Sequence, residues 1–230
     1  MRIALINENS QAAKNEMIYA SLKKVAESKG HTVDNYGMYS ADDKAQLTYV
    51  QNGILAAILL NSGAADFVVT GCGTGEGAML ALNSFPGVLC GHVVDPSDAY
   101  MFMQINDGNA IALPFAKGFG WGAELNLTYI FEKLFEGEPG GGYPKERVVP
   151  EQRNKKILDT ITEYRRSMIE DAQNIANSLS HMEITLVNEA HNLVVQKTNE
   201  YKAIQEAARE DCYNRLTEIG ERFANNERVR

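Results

Sequence analysis

Residues 66–80 read DFVVTGCGTGEGAML. The first five are apolar and β-branched enough for a buried strand; Gly71, Gly73, Gly75 and Gly77 follow at alternate positions, and a helical pattern begins near Glu76. Strand, glycine loop and helix in that order form the unit from which parallel sheets are built, because a crossover helix must carry the chain back to the start of the next strand. Working outward, short runs with strand character recur at RIALI (2–6), HTVDNY (31–36), GVLCGHV (87–93) and NAIAL (109–113). Ile18, Leu22 and Val25 recur at helical spacing between the first two, with Gly30 placed as a C-terminal cap. Asp95-Pro96 opens another helix with a capping side chain and a proline in the first turn. The expected fold is therefore α/β, a doubly wound, Rossmann-like sheet of five parallel strands over residues 1–150.

Past this body the texture changes. EGEPGGGYPKERVVP (136–150) is rich in glycine and proline and reads as a loop or linker. Residues 151–230 hold no proline, one glycine (Gly220) and 12 Lys/Arg against 14 Asp/Glu in helical spacing. They read as two or three long helices, a C-terminal extension for packing or oligomerisation rather than a basic arm.

Composition narrows the partners. A chain of 230 residues with formal net charge −8 and no Lys/Arg run is a poor match to nucleic acid or an anionic membrane surface. No apolar run approaches the ~20 residues that span a bilayer, and no basic-then-apolar leader opens the chain, so a cytoplasmic protein is expected. Three cysteines, Cys72, Cys90 and Cys212, make no disulfide framework, and no C-x-x-C or H-x-x-x-H spacing suggests a metal site. A small molecule is the expected partner, with no cofactor and no metal.

The glycine loop fails both nucleotide patterns. Taking Gly71 and Gly73 as the first two glycines of G-x-G-x-x-G requires a third at Glu76, and no Lys-Ser/Thr pair follows to make a phosphate-binding loop. What it does offer is a row of backbone N–H groups before a helix, at the carboxyl end of a strand, where open parallel sheets bind ligands. Such a field cradles an anion or a developing oxyanion and favours a thiolate. A lone cysteine is usually core filler, but Cys72 among glycines has little apolar packing to explain it. Cys90, inside a strand, and Cys212, in the tail, read as structural.

With these residues in hand, GCGTGEG, then NSFPGV, then INDGNAIAL resemble the family of ribose-5-phosphate isomerase B and galactose-6-phosphate isomerase, across about residues 1–150. The resemblance implies that Cys72 is the base moving a proton between adjacent sugar carbons. It implies too that the amides of Gly73, Thr74, Gly75, Glu76 and Gly77 cradle the enediolate, and that Asn106 and Asp107 contact substrate hydroxyls. It further implies a homodimer or larger, since relatives build each site from two subunits.

The departures bear on substrate. The family's Asp-His after the first strand is Glu8-Asn9 here, its ring-opening histidine is Ile105, and the arginine of its G-G-R-H stretch is Tyr143. Of the expected phosphate donors only Arg147 remains, and a phosphate dianion needs several. Within the family the chain is most similar to the branch that isomerises 4-deoxy-L-threo-5-hexosulose-uronate, an unphosphorylated sugar acid from glycosaminoglycan breakdown. A pentose or hexose phosphate isomerase and a non-catalytic sugar-acid-binding module stand as alternatives.

Other residues carry two readings each. Glu76 is a proton shuttle or a favourable charge at a helix start. Glu8, flanked by Asn7 and Asn9, is a hydroxyl acceptor or likewise a helix-start charge. Lys117 and Arg147 are candidates for a substrate carboxylate or solvated cations, His92 a satisfied structural histidine, and Phe119 and Trp121 pocket wall or the start of a helix.

Overall fold

The computed structural model of the chain describes residues 1–179 and, beyond them, positions 196, 199, 200, 203, 210 and 214 in helical backbone. Cys212, Gly220 and most of the expected tail helices lie outside the described residues. The chain divides into two compact units, Met1–Arg166 and Ser167–Arg230.

In the first unit, β1 (Arg2–Leu5), β2 (Thr32–Asn35), β3 (Phe67–Cys72), β4 (Cys90–His92) and β5 (Ala110–Pro114) form one sheet. Its order is β2-β1-β3-β5-β4, and every pairing is parallel. The α/β doubly wound expectation holds, and the chain reverses its winding direction between β1 and β3. Helices α1 (Asn15–Ser28), α2 (Tyr49–Asn61), α3 (Glu76–Leu82), α4 (Pro96–Met101) and α5 (Ala123–Leu134) cover the faces, and α6 (Val148–Leu179) follows. None of the described helices is long and apolar enough to cross a membrane.

The period-2 alternation of the strands sorts residues by size between the two faces. Ile3, Leu5, Phe67, Val69, Ile111 and Leu113 join the core that also holds Ile18 and Leu22 of α1 and Phe131 of α5. Ala4, Val68, Cys72, Ala110 and Ala112 turn to the other core, with Ala56 of α2 and Ala78 of α3. Small side chains on this second face bring its helices close. A Cβ on Gly53 of α2 would sit 2.9 Å from the backbone of Ala81 in α3, so the two helices touch nearly main chain to main chain.

Three boundaries differ from the sequence expectation. β3 runs on through Gly71 and Cys72, because both stay in register with Leu113 and Pro114 of β5. Gly71 is needed there for packing, since a Cβ would lie 2.3 Å from the Leu113 carbonyl oxygen. β4 shrinks to three residues at a sheet edge, where it has one partner strand. The expected 136–150 loop ends early, with a 3₁₀ turn at Lys145–Arg147 and α6 starting at Val148. Pro150 falls in the first helical turn, where its missing N–H would have no intrahelical partner anyway.

Candidate active site

Doubly wound sheets open a crevice beyond the carboxyl ends of the strands where the winding reverses. Here that point lies between β1 and β3, and Cys72 is the last residue of β3. Its side chain is 8% exposed, and its sulfur accepts the Gly75 N–H at 3.2 Å. The loop places one amide on the thiol, while Gly73 stays partly open and Thr74 and Glu76 are exposed. Gly75 caps α3 in a left-handed conformation, φ +83°, that an L side chain strains to adopt.

Two neighbouring segments hold this loop. The Gly73 carbonyl accepts from the backbone N–H groups of Ala116 and Lys117, just past β5. His92, the last residue of β4, places Nε2 2.8 Å from the Thr74 carbonyl. The ring lies where a Cβ on Gly75 would fall, 2.8 Å from that point. The Tyr49 ring at the start of α2 lies against Gly77, 3.3 Å from where its Cβ would be. The sequence treated His92 as structural and passed over Tyr49; both face the loop.

Past β1, Asn7 and Glu8 are buried and their polar atoms are engaged. Asn7 donates to the Gln11 carbonyl and accepts the Glu8 N–H. The Glu8 carboxylate accepts from the Ser10 N–H at 2.9 Å and the Ser10 hydroxyl at 2.5 Å, capping the 3₁₀ turn Asn9–Lys14. Of the two readings of Glu8, the geometry displays the helix-start charge. Asn9 is exposed, with its N–H on the Leu47 carbonyl.

A cation missed by the sequence reading sits nearby. Lys14 donates from Nζ to Gln11 Oε1 at 2.7 Å and to the Phe115 carbonyl, and lies 4.6 Å from the Phe119 ring centre. Partial burial lowers its pKa below the ordinary lysine value. Nothing in its sequence neighbourhood flags it; the contact spans from the first helical turn to the end of the last strand. Lys117 is exposed and borders a cavity of about 300 Å³ with Phe119 and Pro114. Trp121 is fully exposed, and the helix it was expected to begin opens two residues later, at Ala123.

The remaining expected residues lie at the other edge of the sheet. Asn106 and Asp107 end a π turn, Phe102–Asn106, that precedes β5, whereas Cys72 pairs with the last residue of β5. The strand from Ala110 to Pro114 lies between Asp107 and the partner of Cys72, which alone separates the two groups by about 13 Å at about 3.3 Å per strand residue. Asp107 has φ +48°, the one positive φ outside glycine among the described residues. Burial pushes its carboxyl above the ordinary aspartate value, with Lys155 opposing and Asp159 adding to the rise. It borders a cavity of about 340 Å³ with Asn109, Lys155 and Asp159. The chain leading to Arg147 packs at this edge, through Gly140 on the Met103 carbonyl and Gly142 on the Gln104 carbonyl. Arg147 itself lies 3.7 Å from Glu151 with its side chain 63% exposed. One chain therefore groups Cys72, the 73–77 loop, Glu8 and Lys117 at one edge, and Asn106, Asp107 and Arg147 at the other.

The model of the ribose/galactose isomerase family matches residues 3–176. A crystal structure of a 4-deoxy-L-threo-5-hexosulose-uronate ketol-isomerase complexed with a tartrate is 60% identical, covering 83% of this chain and 86% of that one, with a TM-score of 0.70. A ribose-5-phosphate isomerase from Vibrio parahaemolyticus is 52% identical with the same coverage and TM-score. A ribose 5-phosphate isomerase from Thermotoga maritima is 25% identical, covering 65% of this chain and 95% of that one, with a TM-score of 0.50. None of the curated proteins matches the chain. With a thiol at the crevice of a doubly wound sheet and a family match over most of its length, the chain belongs to the ribose/galactose isomerase family of sugar isomerases.

Proposed function

We propose that the chain isomerises 4-deoxy-L-threo-5-hexosulose-uronate to 3-deoxy-D-glycero-2,5-hexodiulosonate. The 60% identity to a ketol-isomerase of that uronate carries this reading. The residues Asn9, Ile105 and Tyr143, standing where phosphate or ring-opening groups are expected, support it. So does the tartrate in that relative, a hydroxy acid with carboxylates and no phosphate.

In the reaction the Cys72 thiolate takes the proton from C2 of the open-chain aldehyde, and the electron pair of that C–H bond forms the C1–C2 double bond of a cis-enediol. The aldehyde oxygen gains a proton and the C2 hydroxyl loses one, a transfer for which Glu76 and the Thr74 hydroxyl are the exposed groups of the loop. Cys72 returns its proton to C1, leaving a ketone at C2 and a regenerated thiolate. Loop amides not already on the sulfur stabilise the enediolate oxygen as charge builds. Lys117 is a cation of this edge exposed to a substrate carboxylate, whereas the Lys14 amine is already held by Gln11 and Phe115.

We further propose a homodimer or larger assembly in which Asn106, Asp107 and Arg147 of a second copy complete the site. Their place at the far edge of their own sheet supports this. An exposed apolar row on α2, Val50, Ile54 and Ile58, with Leu80 of α3 beside the loop, is surface suited to such a contact.

The deciding experiment follows aldehyde loss by NMR with the uronate, ribose 5-phosphate and galactose 6-phosphate in parallel. Catalytic efficiency on the uronate is expected at least about a hundredfold above either phosphate, since two missing charge-assisted bonds already account for about two decades. The 52% identity to a ribose-5-phosphate isomerase favours a second reading, a pentose phosphate isomerase. Comparable rates on ribose 5-phosphate, or micromolar inhibition by inorganic phosphate, would establish that one instead.

A further inference from the structure

We propose that His92 is a positioning residue for the Cys72 thiolate, holding the Thr74–Gly75 peptide so that its N–H points at the sulfur. The inference rests on the reading of Cys72 as the base. The carbonyl that His92 meets at 2.8 Å and the N–H that meets Cys72 Sγ at 3.2 Å belong to one and the same peptide group. Imidazole, amide and thiol thus form a single chain of hydrogen bonds.

The direction of the first bond follows from chemistry. A carbonyl has no proton, so His92 Nε2 donates, and the neutral ring is the Nε2–H tautomer. Protonating the ring adds an N–H at Nδ1 and leaves the same donor in place. A bond accepted at the carbonyl polarises the amide and strengthens its N–H as a donor. That N–H favours the charged form of the sulfur over the neutral one.

Gly75 explains why a holder is needed. With φ +83° and no Cβ, it permits its preceding peptide to turn over, which would present the Thr74 carbonyl to the sulfur and repel a thiolate. The backbone already pins the Gly73 carbonyl through Ala116 and Lys117. The next carbonyl is held by a side chain delivered from another strand. His92 stands opposite Ala112 of β5, so its ring crosses the end of β5 to reach the loop after β3. A Cβ on Gly75 would lie 2.8 Å from the ring and 2.9 Å from the Leu113 carbonyl carbon. Glycine and imidazole therefore fit as a pair; a larger residue at 75 would push the ring off the carbonyl.

The test compares wild type with His92→Leu and His92→Gln. Alkylation of Cys72 by iodoacetamide is followed against pH by peptide mass spectrometry, which separates it from Cys90 and Cys212. In His92→Leu the midpoint of the alkylation profile is expected to rise by about 0.5–1 pH unit, so that the rate at pH 7 falls about three- to tenfold. Turnover on the uronate falls about tenfold in kcat, with KM within about twofold. His92→Gln, whose side-chain N–H can donate to the same carbonyl, recovers at least half of the shift. A folded His92→Leu with an unmoved midpoint overturns the inference, because a packing role alone would lower the melting temperature and leave the thiol as it was. Imidazole nitrogen shifts of the wild type need no variant to fold: an Nε2–H tautomer at neutral pH supports the bond, and an Nδ1–H tautomer overturns it. The alkylation needs no substrate, so a moved midpoint in a protein without isomerase activity would sink the proposed reaction and keep the His92 bond.

Discussion

At the carboxyl edge of the sheet, Cys72 ends β3 with a loop amide on its sulfur. At the amino edge, Asp107 waits before β5 in a left-handed conformation with its carboxyl pushed up by burial. The first edge holds a thiol beside backbone donors. The second offers the side chains Asn106, Asp107 and Arg147, and the thiol at that end, Cys90, is buried with its pKa pushed up by desolvation. Residues at opposite ends of one strand do not reach one small substrate within a single chain. Under the proposed function, the difference makes a second copy of the chain the source of the missing side chains, a unit of function larger than the unit of folding.

The largest effect that bears on this contrast is expected from Cys72→Ser. Removing the base from the carboxyl edge should lower kcat on the uronate about a thousandfold or more while circular dichroism stays native. A drop of less than about tenfold would take Cys72 out of the chemistry and dissolve the contrast altogether. The next test joins the edges across chains. Cys72→Ser and Asn106→Ala subunits, each nearly inactive alone, are co-refolded in equal amounts; if they pair at random as dimers, about a quarter of wild-type activity returns, because half the dimers carry one intact site of two. No recovery, with mixed dimers verified by native mass spectrometry, would mean that Asn106 serves the Cys72 of its own chain.

Smaller effects probe the scaffold of each edge. Arg165 of α6 donates to the carbonyls of Asn83 at 2.9 Å and Ser84 at 2.6 Å, at the end of α3. Arg165→Ala should destabilise the first unit by about 1–2 kcal/mol in a denaturant titration, and an unchanged midpoint would show that this grip is idle. The smallest change belongs to Asp66, which accepts the Arg2 backbone N–H at 2.7 Å and its guanidinium at 2.6 Å. That guanidinium holds the Asp66 carboxyl down, from 3.8 to about 2. A depressed carboxyl contributes stability above its unfolded value and loses it as pH falls through the folded one. Both side chains are well exposed, so Asp66→Asn should lower Tm by less than about 3 °C at pH 7, with the difference from wild type vanishing between about pH 4 and pH 2. A gap that persists at pH 2 would point to a cause other than this charge.

Much of this was legible in the sequence, and the exceptions have physical reasons. All five strands and the helix after the glycine loop stand where β-branched runs and spacing put them, because a sheet covered on both faces demands near-continuous apolar strands. The strand β3 outran its expected end because glycine, usually a strand breaker, is required at position 71 by the Leu113 carbonyl. The separation of the candidate residues was also written in the chain: Cys72 ends its strand, while Asn106 and Asp107 precede theirs, and in a parallel sheet start and end mean opposite edges. Lys14, Tyr49 and His92 were not legible, because contacts such as Lys14 with Phe115 and His92 with Thr74 depend on strand order rather than spacing along the chain.

The grip of Arg165 on the end of α3 has a mechanical side. α3 is seven residues long, about 10 Å at 1.5 Å per residue, with the glycine loop at one end and the guanidinium at the other. A rod that short does not bend, so axial play at its far end arrives undiminished at the near one. The tolerance on the thiol's surroundings is then set jointly by the clearance at Gly53 against Ala81 and by the seating of one arginine. Wear at either bearing, by a bulkier residue at 53 or a shorter one at 165, would be read at the crevice as lost alignment, in a part of the molecule that neither residue touches.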